Sequence, residues 1–586
     1  MDRVYFKIIL VITLFYNFIF VYDNDILFPV ENNVITGGFG EFRWNHLHTG
    51  IDISTEGIEG KKIFAPTDCW VSYIKRDFYG YGNTLFLEDE NFIYVLAHLK
   101  SFVLSIDTIL SKEKFRQILY PEYKKITFRK GDLVGYTGSS GNVVPHLHFE
   151  VRSKNNKIIN PLFLYNIYDT IKPVIGGILF EPADDSSLIE GEHDNFYYKL
   201  RNGSEKEIRV RIKGKFFISL KAIDRINSYW SKIFVYEIDI KSGSNLISTF
   251  KMDSFSFKYN TYSPIHFRTG LNISNSNYLL KFYDTNNSTF FKTERETLYS
   301  YIDTNLTIIV KDFYGNKKEL KIKILDEIVQ KSYPSSLFKL KRVNDKIVFI
   351  ITGKKTDFCI SKEYKNMFDS FEVSKNYKYY ILNYPGFIKK GFFVNNHIIS
   401  KNVVYLDSSK QFNFNDSIAI KSFEKLYFIY DTKKYTHREL KLFSNLYSFD
   451  LKREFHKKNI KISLKGYGGK SFYNVKNNNL YFVKKLNDED SILTYNLNDF
   501  IIGNDFVKPK HFLINKKIMK DKNIYTYRVV DFGSGIDWFY IADSNSFYVE
   551  PIPGKSKIKI VLYKNTKNEK IFIKDKDGNK DTIFLY

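Results

Sequence analysis

At 586 residues the chain is too long for one core, and three or four domains are expected. Hydrophobic residues make up 44% and aromatic residues 17%, which excludes wholesale disorder. Basic residues outnumber acidic ones 88 to 65, for a formal charge of +23. They are scattered and no RNA- or DNA-binding motif accompanies them, so nucleic acid is not an expected partner. Attraction to an anionic envelope surface is one reading of the charge. Chain-wide abundance of Lys, Asn, Ile, Phe and Tyr favours the plainer one, a bias of composition.

Arg3 and Lys7 precede an apolar run from Ile8 to Tyr22, broken only by Thr13 and Asn17. A charged head and an apolar stretch of about fifteen residues suit a secretory signal and are short for a membrane span. No small-x-small cleavage pattern follows, so residues 1–24 read as a signal peptide or a retained N-terminal anchor. Either way the remainder is expected outside the cytoplasm, in the periplasm or cell envelope. Cys69 and Cys359 have no metal-ligand spacing and read as buried small hydrophobes.

Residues 25–170 differ in texture from the rest. Twelve of the 31 glycines lie between Asp25 and Leu164, among short runs such as "GNTLFLED", "FIYVLAHL" and "LHFEVRS" that read as β-strands bounded by turns. Between Ser111 and Lys125 the spacing of Phe115, Ile118 and Leu119 predicts a helix ended by Pro121, a lid or wall inserted between strands. "DTIKPVIGG" then marks a boundary, and alternating β patterns run from there to the C-terminus. "IIVKDFYGNKK" (308–318) and "IFIKDKDGNKD" (571–581) repeat one strand–turn–strand pattern, which fits Ig-like β-sandwich modules. "LKAIDRINSY" and "VVDFGSGID" read as earlier turns of the same modules. The expected division is β module(s) over 171–328, a β-rich region over 329–520 and a C-terminal module over 521–586. The fold class is therefore mainly β, with one helical insertion.

Chemistry enters through the histidines. Of 11 in the chain, five (His46, His48, His98, His146 and His148) fall in the first 150 residues. His48 and Asp52 stand four apart in "HLHTGID", and His146 and His148 two apart in "PHLHFEV". On extended chain each pair shares a face. Any three of these four side chains can close three corners of a tetrahedral zinc site with the fourth left for water. One of the paired histidines then binds while its neighbour works on the water. Gly50 lets the backbone bend toward the ion. Glu150 and Arg152 flank the strand and read as solvated or core-pairing charges.

From about Gly37 to Leu164 the chain resembles the lysostaphin-type (LytM-like) zinc endopeptidases of peptidoglycan. The matching stretches are "GGFGEFRWNHLHTGIDI", "IFAPTDCWVSYI", "GYGNTLFLE", "YVLAHL", "KGDLVGYTGSSG" and "PHLHFEVR", in the family's order and over roughly a quarter of the chain. The resemblance implies a small antiparallel β-sheet metallopeptidase domain with one Zn2+ per chain, held by His48, Asp52 and His148. It implies that His98 and His146 are the catalytic histidines that orient or deprotonate the water. The implied reaction is hydrolysis of peptidoglycan peptides by zinc-bound hydroxide in cell-wall remodelling. Departures at Cys69, Val143 and Val144 touch supporting turns, and His46 reads as a groove residue. An envelope protein is the expected partner of the C-terminal β modules, and a membrane only if the N-terminal segment is retained. The competing readings are a catalytically silent wall-binding regulator and an envelope scaffold of the same fold. Intact ligands argue against the first, and activity of a chain cut near residue 170 would argue against the second.

Overall fold

A computed structural model describes residues 26–585 apart from short internal stretches. The longest of these are 269–277, 353–363, 451–459 and 538–546, and those nearest the candidate site are 44–45, 78–79, 108, 111–116 and 142. The N-terminal segment 1–24 and Cys359 lie outside the described residues. Among the described residues no helix is long and apolar enough to cross a membrane.

Nearly all regular structure is β. The first part contains β1 (Ile35–Gly37), β2 (Phe42–Arg43), β3 (His46–Leu47), β4 (Ile51–Ser54), β5 (Lys62–Phe64), β6 (Cys69–Arg76) and β7 (Thr84–Glu88). It continues with β8 (Phe92–Ala97), β9 (Leu99–Phe102), β10 (Gln117–Leu119), β11 (Thr127–Phe128), β12 (Leu133–Thr137), β13 (His146–Ser153) and β14 (Lys157–Ile159). The main sheet runs β1-β4-β13-β8-β7-β6-β10, with β11 also on β6 and β14 also on β13, while β5-β12-β9 forms a second sheet.

Alternation along β13 explains the sheet. Leu147, Phe149 and Val151 are fully buried in the core with Ile51, Ile53 and Leu96. His146, His148, Glu150 and Arg152, the residues between, therefore line the opposite face. Antiparallel register sets His148 directly beside Asp52 on β4 and Ala97 on β8.

The expected helix over 111–125 is corrected in its described part. Gln117–Leu119 is a strand, β10, paired antiparallel with Ile74–Arg76 of β6. The long strand β6 otherwise ends the sheet with unpaired backbone groups, and pairing them outweighs the weak helical spacing. A single helical turn, Leu104–Asp107, stands just before the insertion. Behind β10, Tyr120 packs on Tyr73 at 5.4 Å, Tyr123 on Trp70 at 5.5 Å, and Lys124 Nζ lies 4.5 Å from the Trp70 ring. The described part of the insertion thus closes the far edge of the sheet, four strands from His148.

The core that begins at Val30 runs on without a break to Ile324. Phe39 stacks on Phe255 at 5.0 Å and Phe42 on Phe267 at 4.5 Å. Asn260 clasps the backbone of Leu47, accepting from its N–H at 2.6 Å and donating to its carbonyl at 3.1 Å. The strand Ser254–Ser256 extends the first sheet by pairing with β14. Residues 174–325 supply two further sheets, and in Glu207–Lys213 every second residue is buried. The remaining strands, Leu337 to Leu585, form sheets of two to eight strands over further cores, one of which takes in Leu188. Both copies of the repeat are hairpins: Asn305–Lys311 with Lys317–Leu325, and Glu569–Lys574 with Lys580–Leu585.

Candidate metal centre

Four of the histidines singled out in the sequence converge with Asp52 on one end of β13, while His46 lies exposed in β3. His48 follows β3, Asp52 lies in β4, His146 and His148 lie in β13, and His98 follows β8. Three atoms form a small triangle. His48 Nε2 is 2.9 Å from His148 Nδ1 and 3.0 Å from Asp52 Oδ1, and His148 Nδ1 is 2.9 Å from Asp52 Oδ1. One ion can touch all three at about 2.0–2.2 Å, the range for zinc with nitrogen and carboxylate donors.

The outer hydrogen bonds dictate which atoms face inward. His48 Nδ1 donates to the Gly38 carbonyl at 2.7 Å, which leaves Nε2 with its lone pair toward Asp52. His148 Nε2 donates to Glu150 Oε1 at 2.9 Å, which turns Nδ1 inward. Asp52 uses Oδ2 for the Arg43 guanidinium at 2.5 Å and keeps Oδ1 for the triangle. Each donor is thus tied on its far side, in the arrangement that fixes tautomer and direction for a metal.

Glu150 is fully buried, so its charge requires several partners. Arg152 supplies two, Nε at 2.8 Å and Nη2 at 2.5 Å, Tyr81 OH donates at 2.5 Å, and the Thr49 hydroxyl donates as well. Burial raises the Glu150 carboxyl, but the His148 hydrogen bond and the Arg152 charge outweigh it and hold it at about 2. Of the two expectations, solvated or core-pairing, the structure shows the second, a buried Glu150–Arg152 pair, and adds that Glu150 orients His148. Arg152 also lies over Phe86 (5.4 Å) and Phe257 (4.6 Å).

Burial lowers His48 to about 4, so its imidazole is neutral, as a ligand must be. Asp52 stays ionised: burial opposes its charge, but His48, with His146 and His148 close by, brings the carboxyl well below its ordinary value. Burial also disfavours charge on His148, yet hydrogen bonds to Asp52 and Glu150 hold it up at about 9. An ion held in the triangle would replace that proton as the positive charge between two carboxylates.

The other two histidines stand beside the triangle. His98 has φ 64°, a left-handed conformation uncommon outside glycine, at the bend between β8 and β9. Its N–H donates to the Tyr81 carbonyl at 2.9 Å and its Nδ1 to the Ser140 carbonyl at 2.8 Å. Gly141 allows that contact, since a Cβ there would lie 2.2 Å from the Gly80 carbonyl oxygen and 3.1 Å from His98 Nδ1. Burial, with His148 and His146 nearby, lowers His98 to about 3. His146 donates Nδ1 to the Val144 carbonyl at 2.7 Å, and its ring centre is 4.7 Å from that of His98. Its Nε2 is buried without a hydrogen-bond partner, 3.4 Å from Asp52 Oδ1. That orphaned nitrogen and the mixed nitrogen and carboxylate donor set fit a bound zinc with water beside it.

Gly50 differs from its expected use. A Cβ there would lie 2.2 Å from the Phe149 carbonyl oxygen, so it serves close approach of the β4 segment to β13. Arg43, Thr49, Tyr81 and the Gly38 carbonyl were not singled out in the sequence. Cys69 is buried and its thiol is pushed up to about 12 by burial and then by Asp89, which suits an inert core residue.

No protein-family model matches the chain, and no curated protein matches it. Among solved structures it is similar over 24% of its length to Helicobacter pylori Csd3, at 25% identity and a TM-score of 0.18. That alignment takes in 33% of Csd3, so the chain covers less than two thirds of that protein. It is similar to a chain of the SpoIIQ–SpoIIIAH pore-forming complex at 18% identity and a TM-score of 0.19, over 24% of this chain and 91% of that one. Lysostaphin from Staphylococcus simulans aligns at 15% identity and a TM-score of 0.17, over 34% of this chain and 86% of that one.

Proposed function

We infer that the chain is an exported, zinc-dependent endopeptidase acting on peptides of bacterial peptidoglycan, in the periplasm or cell envelope. The observation that carries the reading is the inward triangle of His48 Nε2, Asp52 Oδ1 and His148 Nδ1, each donor fixed from behind. These three residues would hold one zinc. Bound zinc supplies Lewis acidity, polarising a peptide carbonyl and making water acidic enough to lose a proton near neutral pH.

The chain's own residues supply the rest. His146 Nε2, which lacks a hydrogen-bond partner, is the nitrogen we assign to take the proton of the attacking water and return it to the leaving amine. His98 is neutral and anchored through Nδ1 to Ser140, and it orients the carbonyl oxygen and the water. Glu150 and Arg43 act through the ligands they hold and are positioning residues. Val144, 76% exposed beside His146, lies at the rim where an extended peptide would pass.

The test is release of new amino groups from purified peptidoglycan by the zinc-loaded full chain, with His146→Ala as control. The expected result is turnover by the parent, and loss of turnover with zinc retained in the variant. A zinc-loaded parent with no turnover on any wall type would contradict the reading.

A further inference from the structure

The repeated hairpin carries a second correspondence. Asp312 and Asp575 open equivalent turns after the strands Asn305–Lys311 and Glu569–Lys574. Each donates its N–H at 3.0 Å to the carbonyl of an asparagine four residues on, Asn316 or Asn579. Each accepts that asparagine's N–H on Oδ1 at 2.8 Å. The asparagine side chain in turn donates at 3.1 Å to a second aspartate's carbonyl, Asp169 or Asp505. Those aspartates open matching strings, "DTIKP" at 169–173 and "DFVKP" at 505–509. Oδ1 of each accepts the N–H two residues on, from Ile171 at 3.1 Å and Val507 at 3.0 Å. A third aspartate, Asp224 or Asp531, directly follows the strand Lys215–Ile223 or Lys522–Val530. In both copies one oxygen from each of the three carboxylates lies within 4.8 Å of the other two.

The first trio shows what it lacks. Asp224 and Asp312 are each only 2% exposed. Asp224 Oδ1, Asp312 Oδ2 and Asp169 Oδ2 are buried without a hydrogen-bond partner. Buried carboxylate oxygens are ordinarily satisfied, and three carboxylates this close cannot all ionise unaided. Burial, reinforced by Asp312 and Asp169, pushes Asp224 up to about 8. Calcium resolves the conflict. It takes six to eight oxygens at about 2.3–2.6 Å, so oxygens around one ion stand up to about 5 Å apart. Carboxylates and backbone carbonyls are its preferred donors, whereas zinc prefers nitrogen and sulfur.

We propose that the chain carries a duplicated calcium site, one ion bound by Asp169, Asp224 and Asp312 and a second by Asp505, Asp531 and Asp575. Each site lies where one part of the chain joins the next. Asp169 follows the last turn of the histidine-bearing region (Pro161–Leu164), and Asp505 ends the strand Asp499–Asp505 of the preceding sheet. Next to the second trio, Asp577 accepts from Ser471 Oγ at 2.5 Å and Tyr473 OH at 3.1 Å of that same sheet. Calcium would thus clamp each linker to the module it introduces.

The experiment is equilibrium dialysis of the full chain, zinc-loaded and calcium-free, against calcium chloride at about 10 mM, above the dissociation constants of about 10⁻⁴–10⁻³ M of extracellular modules. Bound calcium is counted by atomic emission. The expected result is two calcium ions per chain, one in Asp312→Asn, one in Asp575→Asn and none in the double variant. Circular dichroism reports whether each variant is folded, and Asp224→Asn replaces Asp312→Asn if the latter is not. A natively folded parent that binds no calcium would overturn the proposal, as would two ions that persist in the double variant. A single ion lost with Asp312→Asn would overturn the second site alone.

Discussion

The histidine centre and the aspartate trios solve the burial of polar donors in opposite ways. His48, Asp52 and His148 are each tied from behind by Gly38, Arg43 and Glu150, so their inward direction is built by the protein. In the trio of Asp169, Asp224 and Asp312, buried oxygens are left unsatisfied, so the ion completes the structure. The first arrangement suits a reactive centre that must hold its geometry while ligands come and go. The second suits a clamp, whose stability depends on what it binds.

The largest contrast is expected from His148→Ala. Zinc content should fall from one per chain to none and wall hydrolysis to background, while calcium binding stays at two ions per chain. If zinc and calcium were lost together in this variant, the two kinds of centre would not be separate. Nearly as large an effect is expected from ending the chain near residue 170. That cut removes Phe255, Asn260 and Phe267 from Phe39, Leu47 and Phe42, so the fragment should lose its cooperative thermal transition. A fragment that melts like the parent and cleaves wall would instead establish residues 25–170 as a self-sufficient domain.

His146→Ala should retain zinc and lower kcat by about 10²–10⁴-fold, the range for removal of a proton-transfer group, and His98→Ala should retain zinc and lower kcat through lost orientation. Smaller still is Glu150→Gln, expected to weaken zinc about 10–100-fold, as loss of a partner behind a ligand does. Competition with a chromophoric chelator measures it, and unchanged affinity would mean that Glu150 only neutralises Arg152.

The most local effect is a pH dependence confined to the trio. Asp224 faces Asp312 and Asp169, with Arg225 the nearby cation, and its folded pKa of about 8 lies above the unfolded value of about 3.9. The folded chain therefore holds a proton that the unfolded chain gives up between those values. The resulting stability is full below about pH 4 and is lost as pH rises toward 8. Calcium-free protein should show a melting temperature that falls over this window, with the slope reduced by calcium or by Asp224→Asn. An equal slope in all three samples would assign it elsewhere.

Much of the histidine centre was legible because its ligands occupy short motifs whose spacing of two or four residues survives translation into strands. His146 and His148 share a face of β13 for that reason, and the register brings Asp52 beside them. The supporting layer was less legible. Arg43 reaches Asp52 through a turn, and Tyr81 reaches Glu150 across 69 residues, so no local pattern marks either. Alternation along "HLHFEVR" was the available signal for Glu150, which had to lie on the histidine face. The helix expected near Ile118 failed because three apolar residues specify helical spacing weakly, while the free edge of β6 offered pairing. The hairpin repeat was legible, but its aspartates read as turn residues. Only the second string, Asp-x-Ile/Val-Lys-Pro at 169 and 505, links them into trios.

The most direct test of the account is zinc stoichiometry of the purified full chain, measured together with amine release from peptidoglycan, for the parent and His148→Ala. The expected result is one zinc per parent chain and turnover, with both lost in the variant. A folded parent that binds no zinc, or one whose turnover survives His148→Ala, would contradict it.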